Sequence, residues 1–148
     1  MQDQSLPPFD VCVQSSELAV REALAEISRG LGPLELNPEE AGIVELVLAE
    51  ALNNIVEHAY APSYGCGPIR IECLHKSDGL HLRIRDCGAT MPGDKAPPGF
   101  AADLGKCLKD LPEGGFGWFL IKDLAEDVKY RRINGENCLD LRLAVALQ

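Results

Sequence analysis

A single α+β domain, with a mixed, mostly antiparallel sheet covered by helices on one face, is what this sequence predicts. Three observations predict it. The 148 residues are enough for one core and too few for two, so 1–148 is read as one domain. Apolar residues recur with period two in five short runs and with a period near 3.6 in three others, in the order β, α, α, β, β, long connection, α, β, β. Two pairs of those strands meet across hairpin signals, and hairpin-joined strands run antiparallel, so an all-parallel sheet is excluded.

The first run, FDVCVQ at 9–14, alternates and reads as a strand. Ser15 or Ser16 then offers an N-cap for a helix to about residue 30, with Leu18, Val20, Leu24, Ile27 and Leu31 as its apolar face and Gly30, Gly32 and Pro33 ending it. Asn37-Pro38-Glu39-Glu40 opens a second helix with a capping side chain, a proline at the first helical position and a Glu three residues on. That helix is read to about His58, and residues 61–68 as a loop. Ile69–His75 and Leu80–Asp86 alternate on either side of Ser77-Asp78-Gly79, which marks a hairpin. From Cys87 to Gly115 runs a Gly/Pro-rich connection with at most one short helix near 100–109; connections this long are commonly lids or binding segments. A helix from about Phe116 to Ala125, a strand over Val128–Arg132, the Asn134-Gly135 turn and a last strand with Leu139, Leu141, Leu143 and Val145 on one face complete the chain.

Composition narrows the function. Hydrophobic residues make up 46% and charged residues 25%, ordinary globular values that disfavour disorder. Fourteen basic against 23 acidic side chains leave a net charge of -9, which argues against a nucleic-acid binder or a polybasic membrane patch. No apolar run reaches 18 residues and MQDQSLPP lacks the pattern of a signal peptide, so a soluble cytoplasmic protein is expected. The cysteines at 12, 66, 73, 87, 107 and 138 form no C-x-x-C and have no His at zinc spacing; they are read as small apolar fillers.

Three places interrupt the apolar pattern with chemistry. At about 100° per residue, Ile43, Val47, Glu50, Asn54 and His58 share one stripe of the second helix, so Glu50 and Asn54 project side by side. Either backbone or water satisfies that pair, or it serves a cation and a polar ligand. On the strand LHLRIRD, the row Leu80, Leu82, Ile84 carries on to Asp86, which either bonds its own turn or accepts from a ligand amino group at a pocket edge. Glu113-Gly114-Gly115-Phe116-Gly117-Trp118 precedes a helix, and glycines at a helix start can cradle an anion or simply make a turn. The P-loop, the dinucleotide fingerprint, G-x-S-x-G and the zincin motif are all absent.

A Glu/Asn helix, a strand ending Asp-x-Gly, a Gly/Pro-rich connection and a Gly-rich helix start follow one another in an order that resembles the GHKL ATP-binding superfamily. Within it, AEALNNIVEHAY and EGGFGWFLIKDLAEDVKYRR are most similar to the stand-alone anti-sigma-factor serine kinases of the RsbW and SpoIIAB type. The resemblance spans about residues 9–147. It implies a two-layer α/β sandwich of the Bergerat type with an ATP lid at about 87–115. It also implies ATP and Mg2+ as cofactors: Asn54 on Mg2+, Asp86 on the adenine amino group, Gly88 shaping the adenine pocket, and the segment Gly114, Gly115, Phe116 and Gly117 on the phosphates. Glu50 would be the general base that deprotonates an attacking serine hydroxyl. The implied partners are a STAS-domain antagonist whose serine is phosphorylated, a sigma factor or other regulatory client, and a second copy in a homodimer. This chain departs from the pattern in lacking the second glycine after Asp86-Cys-Gly88, in placing Glu113 where some relatives carry an Arg, and in having Trp118 for the usual Leu. Two alternatives stand beside the kinase: a non-catalytic ATP-binding interaction module, and the ATPase half of a histidine kinase, which would need a dimerising His-bearing helix before residue 9.

Overall fold

The computed structural model describes residues 6–60, 65–89 and 115–148, with side chains left undescribed at 115–119. Strand β1 (Phe9–Gln14) leads into helix α1 (Glu17–Gly30), whose N-cap is Ser16, its side chain accepting from Ala19 N at 2.9 Å. A 3-10 turn (Gly32–Leu34) precedes helix α2 (Pro38–Asn54). The capping box is complete: Asn37 Oδ1 accepts from Glu40 N at 2.8 Å, and Asn37 N donates back to Glu40 Oε1 at 3.2 Å. Strands β2 (Pro68–Lys76) and β3 (Gly79–Asp86), helix α3 (Gly115–Leu124), and strands β4 (Glu126–Ile133) and β5 (Glu136–Leu143) follow.

Among the described residues the sheet order is β1-β2-β3-β5-β4, and every pairing is antiparallel. The mixed sheet expected from the sequence is therefore antiparallel throughout its described part, because β2–β3 and β4–β5 are hairpins and β5 returns beside β3. Period two sends Ile69, Ile71 and Cys73, Leu80, Leu82 and Ile84, and Leu139, Leu141 and Leu143 to one face, where they are buried under α1, α2 and α3. Each such Ile or Leu side chain contributes roughly 1.5–3 kcal/mol. The opposite face carries ion pairs instead: Arg70–Asp10, Arg85–Glu72, and Arg83 and Arg131 sharing Asp140.

Four sequence expectations change. Leu18 is 65% exposed, since it lies about 200° around α1 from Val20, and the buried stripe is Val20, Ala23, Ile27 and Leu31. The second helix is α-helical only to Asn54 and then widens into a π-helical turn, Ile55–Ala59. Val145 is buried but lies beyond the end of β5. Of the cysteines, Cys73 is a buried core filler, whereas Cys138 is buried on the opposite face, its Sγ beside Arg131 and Asp140. Cys12, Cys66 and Cys87 are exposed, Cys12 at an outward position of β1 and the other two beside strands, where no alternation buries them; Cys107 lies outside the described residues.

Candidate functional site

Asp86 and Asn137 face each other across the β3–β5 ladder. Both stand on the core face, one register step past Ile84 and Leu139, and both are buried. Two buried polar groups at the end of an apolar row need hydrogen-bond partners, from the protein, water or a ligand. Asp86 Oδ1 accepts from Asn137 Nδ2 at 2.8 Å and from Gly88 N at 2.9 Å. Asn137 Oδ1 in turn accepts from Tyr130 Oη at 2.7 Å and Arg132 Nη1 at 2.8 Å, and Arg132 Nη1 also donates to the Gly88 carbonyl at 2.8 Å. Burial pushes the Asp86 carboxyl above its ordinary range; the hydrogen bonds from Asn137 and Gly88 and the Arg132 charge oppose that rise, and the Glu136 charge adds to it.

The helix layer reaches the same place through the π-helical turn. Tyr60 N bonds Ile55 O at 2.8 Å, the i to i+5 link that inserts an extra residue into the turn, a feature frequent at functional sites. The widened turn leaves the Ala59 carbonyl free to accept from Ala89 N at 2.8 Å. Gly88 lies so close that a Cβ there would stand 2.5 Å from Ala59 O. Tyr60 Oη accepts from Cys87 N at 2.6 Å and donates to Pro68 O at 2.8 Å, so residues 86–89 are held from both layers.

Asn54, the last α-helical residue of α2, is buried, and its Nδ2 meets no hydrogen-bond partner among the described residues. It shares a cavity of about 20 Å3 with Ile55 and Ala59 of the turn and with Asp86, Tyr130 and Asn137 of the sheet. That is room for about one water. A buried amide with an unspent donor costs about 1–3 kcal/mol, which a polar ligand would relieve.

The structure thus brings Asn54, Asp86 and Gly88 to one place. Glu50 is not part of it: the side chain is half-buried, lies outside the cavity, and forms no hydrogen bond or ion pair among the described residues. The stripe expected to end at His58 is broken by the π-helical turn, which leaves His58 exposed beside Glu57. Gly115, Phe116 and Gly117 form the first turn of α3. Gly114 lies outside the described residues, as do most of the expected lid and the short helix near 100–109. A cavity of about 550 Å3 between α1 and α2 is lined by residues that include Leu24, Leu31, Leu36 and Val44, and none of the predicted site residues is among them.

Asn137, Arg132, Tyr130 and Tyr60 were not singled out from the sequence. For Asn137 the signal existed, because the row Leu143, Leu141, Leu139 extended by one step of two reaches it.

Residues 13–143 match the model of the histidine kinase-like ATPase domain. The chain belongs to that family. Among curated relatives of this ATPase-domain chain, the serine/threonine-protein kinase BtrW of Bordetella bronchiseptica is 34% identical over 94 residues, 62% of each chain. The serine-protein kinase RsbW of Bacillus mycoides is 30% identical over 101 residues, covering 65% of this chain and 59% of that one. The chain thus spans about three-fifths of the relatives it matches, 62% and 59% of their lengths. Among solved structures, the RsbU and RsbW domains of a Mycobacterium tuberculosis protein superpose with a TM-score of 0.64 at 15% identity, over 94% of this chain and 32% of that one. The SiaB–SiaC complex of Pseudomonas aeruginosa gives 0.56 at 18% identity, over 90% and 88%. Likeness at such identity is likeness of fold, and it agrees with the α+β sandwich the sequence predicts. The names of the relatives are those of the anti-sigma kinase group that the motifs resemble.

Proposed function

We propose that this chain is an ATP- and Mg2+-dependent serine-protein kinase of the anti-sigma type, which phosphorylates a STAS-fold antagonist and otherwise holds a sigma factor or another regulatory client. One observation carries the reading: Asn54 of α2 and Asp86 of β3, picked from separate sequence motifs, are buried on the same cavity. Asp86 Oδ1 is taken by protein donors, while Oδ2 is bonded by none of the described residues and is the acceptor for an adenine amino group. The cavity is smaller than a purine, so nucleotide binding widens it.

The described residues contain no group of three or more His, Cys, Asp or Glu suited to a metal. Mg2+ asks for little more than one protein oxygen when phosphates and water fill its remaining positions, and Asn54 Oδ1 would be that oxygen. When bound, the ion would neutralise charge developing on the phosphates. The first-turn amides of α3, at Gly115, Phe116 and Gly117, would hold phosphate oxygens at the positive end of the helix. Glu50 would accept the proton of the attacking serine hydroxyl from its half-buried place one helical turn before Asn54. A phosphate added to the antagonist would break its contact through charge and bulk. On the same reading residues 1–148 form one domain that works as a homodimer in the cytoplasm.

The second reading is an ATP-binding interaction module without phosphoryl transfer, and the place of Glu50 outside the cavity favours it. Incubation with γ-labelled ATP and a purified STAS-fold partner separates the two. The kinase reading expects label on a partner serine, lost in Glu50→Ala while nucleotide binding is retained. Label that persists in Glu50→Ala overturns the base; ATP binding without label supports the module.

A further inference from the structure

We propose that Asn137, braced by Arg132 and Tyr130, positions the Asp86 carboxylate and keeps its free oxygen an acceptor, so that the site selects a purine with a 6-amino group over one with a 6-carbonyl. The inference rests on the nucleotide reading above and assigns a role to residues to which that reading gives none.

The chemistry of the neighbours fixes which way the Asn137 amide points. A guanidinium only donates, so the end facing Arg132 Nη1 at 2.8 Å is the oxygen, which also accepts from Tyr130 Oη at 2.7 Å. The nitrogen therefore faces the other way, and its two hydrogens go to Asp86 Oδ1 at 2.8 Å and Ala89 O at 2.9 Å, with Gly88 O a longer third acceptor at 3.4 Å. Asn137 is thereby spent on the protein and offers no group of its own to a ligand. Its effect is on Asp86, which lines the cavity: with Gly88 N it occupies Oδ1, so that Oδ2, which receives no hydrogen bond from the described residues, is the oxygen left for a ligand.

A carboxyl group reads two different purines in its two protonation states. As a carboxylate it accepts from an amino group and repels a carbonyl; protonated, it donates to a carbonyl. Burial favours the protonated form, and so does the Glu136 charge, while Asn137, Gly88 N and Arg132 favour the carboxylate. Removing Asn137 takes a donor from the buried carboxylate and loosens both its aim and its ionisation.

The test measures binding of non-hydrolysable ATP and ITP analogues, a 6-amino purine and a 6-carbonyl purine without any amino group, by calorimetry across pH, on wild type, Asn137→Leu, Asn137→Thr and Tyr130→Phe, together with 13C NMR titration of Asp86 in the ligand-free protein. Asn137→Leu is expected to weaken ATP-analogue binding by about tenfold or more, narrow the preference over the ITP analogue, and move the acid limb of binding and the Asp86 titration to higher pH. Asn137→Thr, which keeps one donor, falls between. Should Asn137→Leu fail to fold, Tyr130→Phe removes a single brace and is expected to move the same readouts less. An unchanged preference and unchanged Asp86 titration in a folded Asn137 variant overturns the proposal. If wild type binds neither analogue, the nucleotide reading fails, while the Asp86 titration still decides whether Asn137 governs that carboxylate.

Discussion

At the scale of single residues, Gly88 has the least room to change. A Cβ there meets the Ala59 backbone, and neither the π-helical turn nor the end of β3 yields without losing hydrogen bonds. Gly88→Ala is expected to lower stability by about 1–3 kcal/mol, seen as a lower urea midpoint at unchanged m-value. Asp86 is expected to make stability and nucleotide binding respond to pH in opposite directions. Its folded carboxyl titrates above the unfolded value of 3.8, so between those two values the native state holds more protons than the unfolded chain. This group's contribution to stability therefore grows as pH falls through that window, while on the proposed function ATP affinity is expected to decline over the same range. Asp86→Asn is expected to remove this component of pH dependence from unfolding curves and to abolish ATP binding. The cysteines differ just as sharply: burial pushes the Cys73 thiol up to about 12, whereas Cys12, Cys66 and Cys87 are exposed. Iodoacetamide at pH 8 is expected to modify those three in the native protein and to spare Cys73, read by peptide mass spectrometry.

At the scale of elements, local rules and tertiary rules separate cleanly. The start of α2 was legible because a capping box is made of neighbours in sequence, and it formed as read. Asn37→Ala is expected to cost about 1 kcal/mol in thermal or urea unfolding. Glu40 carries more, since its second oxygen accepts from Ala146 N at 2.9 Å, a link from the far end of the chain that no local rule announces. The end of α2 was not legible. A single-residue insertion leaves the apolar period nearly intact on either side, so IVEHA reads as one more α-turn although its hydrogen bonds are those of a π-turn. The apolar residues of α1 spread wider than its buried face, and Leu18 shows why: hydrophobicity along the chain counts an apolar residue wherever it lies around the helix.

At the scale of the whole molecule, the chain beyond β5 closes the fold. Val145 is fully buried, the buried His75 donates from Nε2 to Ala146 O at 2.8 Å, and Gln148 N reaches Ser77 O at 3.0 Å. Deleting residues 144–148 is expected to cost about 2 kcal/mol or more from Val145 burial alone, and to lower the unfolding midpoint accordingly. The sequence by itself determined the order of strands and helices, the hairpin turns, the capping box and the candidate residues Glu50, Asn54, Asp86 and Gly88, because periodicity, turn chemistry and short motifs are properties of neighbours along the chain. Only the tertiary structure decided that β5 returns beside β3 and sets Asn137 against Asp86, that Asn54 shares their cavity and Glu50 does not, and that Arg132 and Tyr130 brace the pair. Those relations join residues dozens of positions apart, and a polar group's partner in a core is fixed by which strands and helices meet.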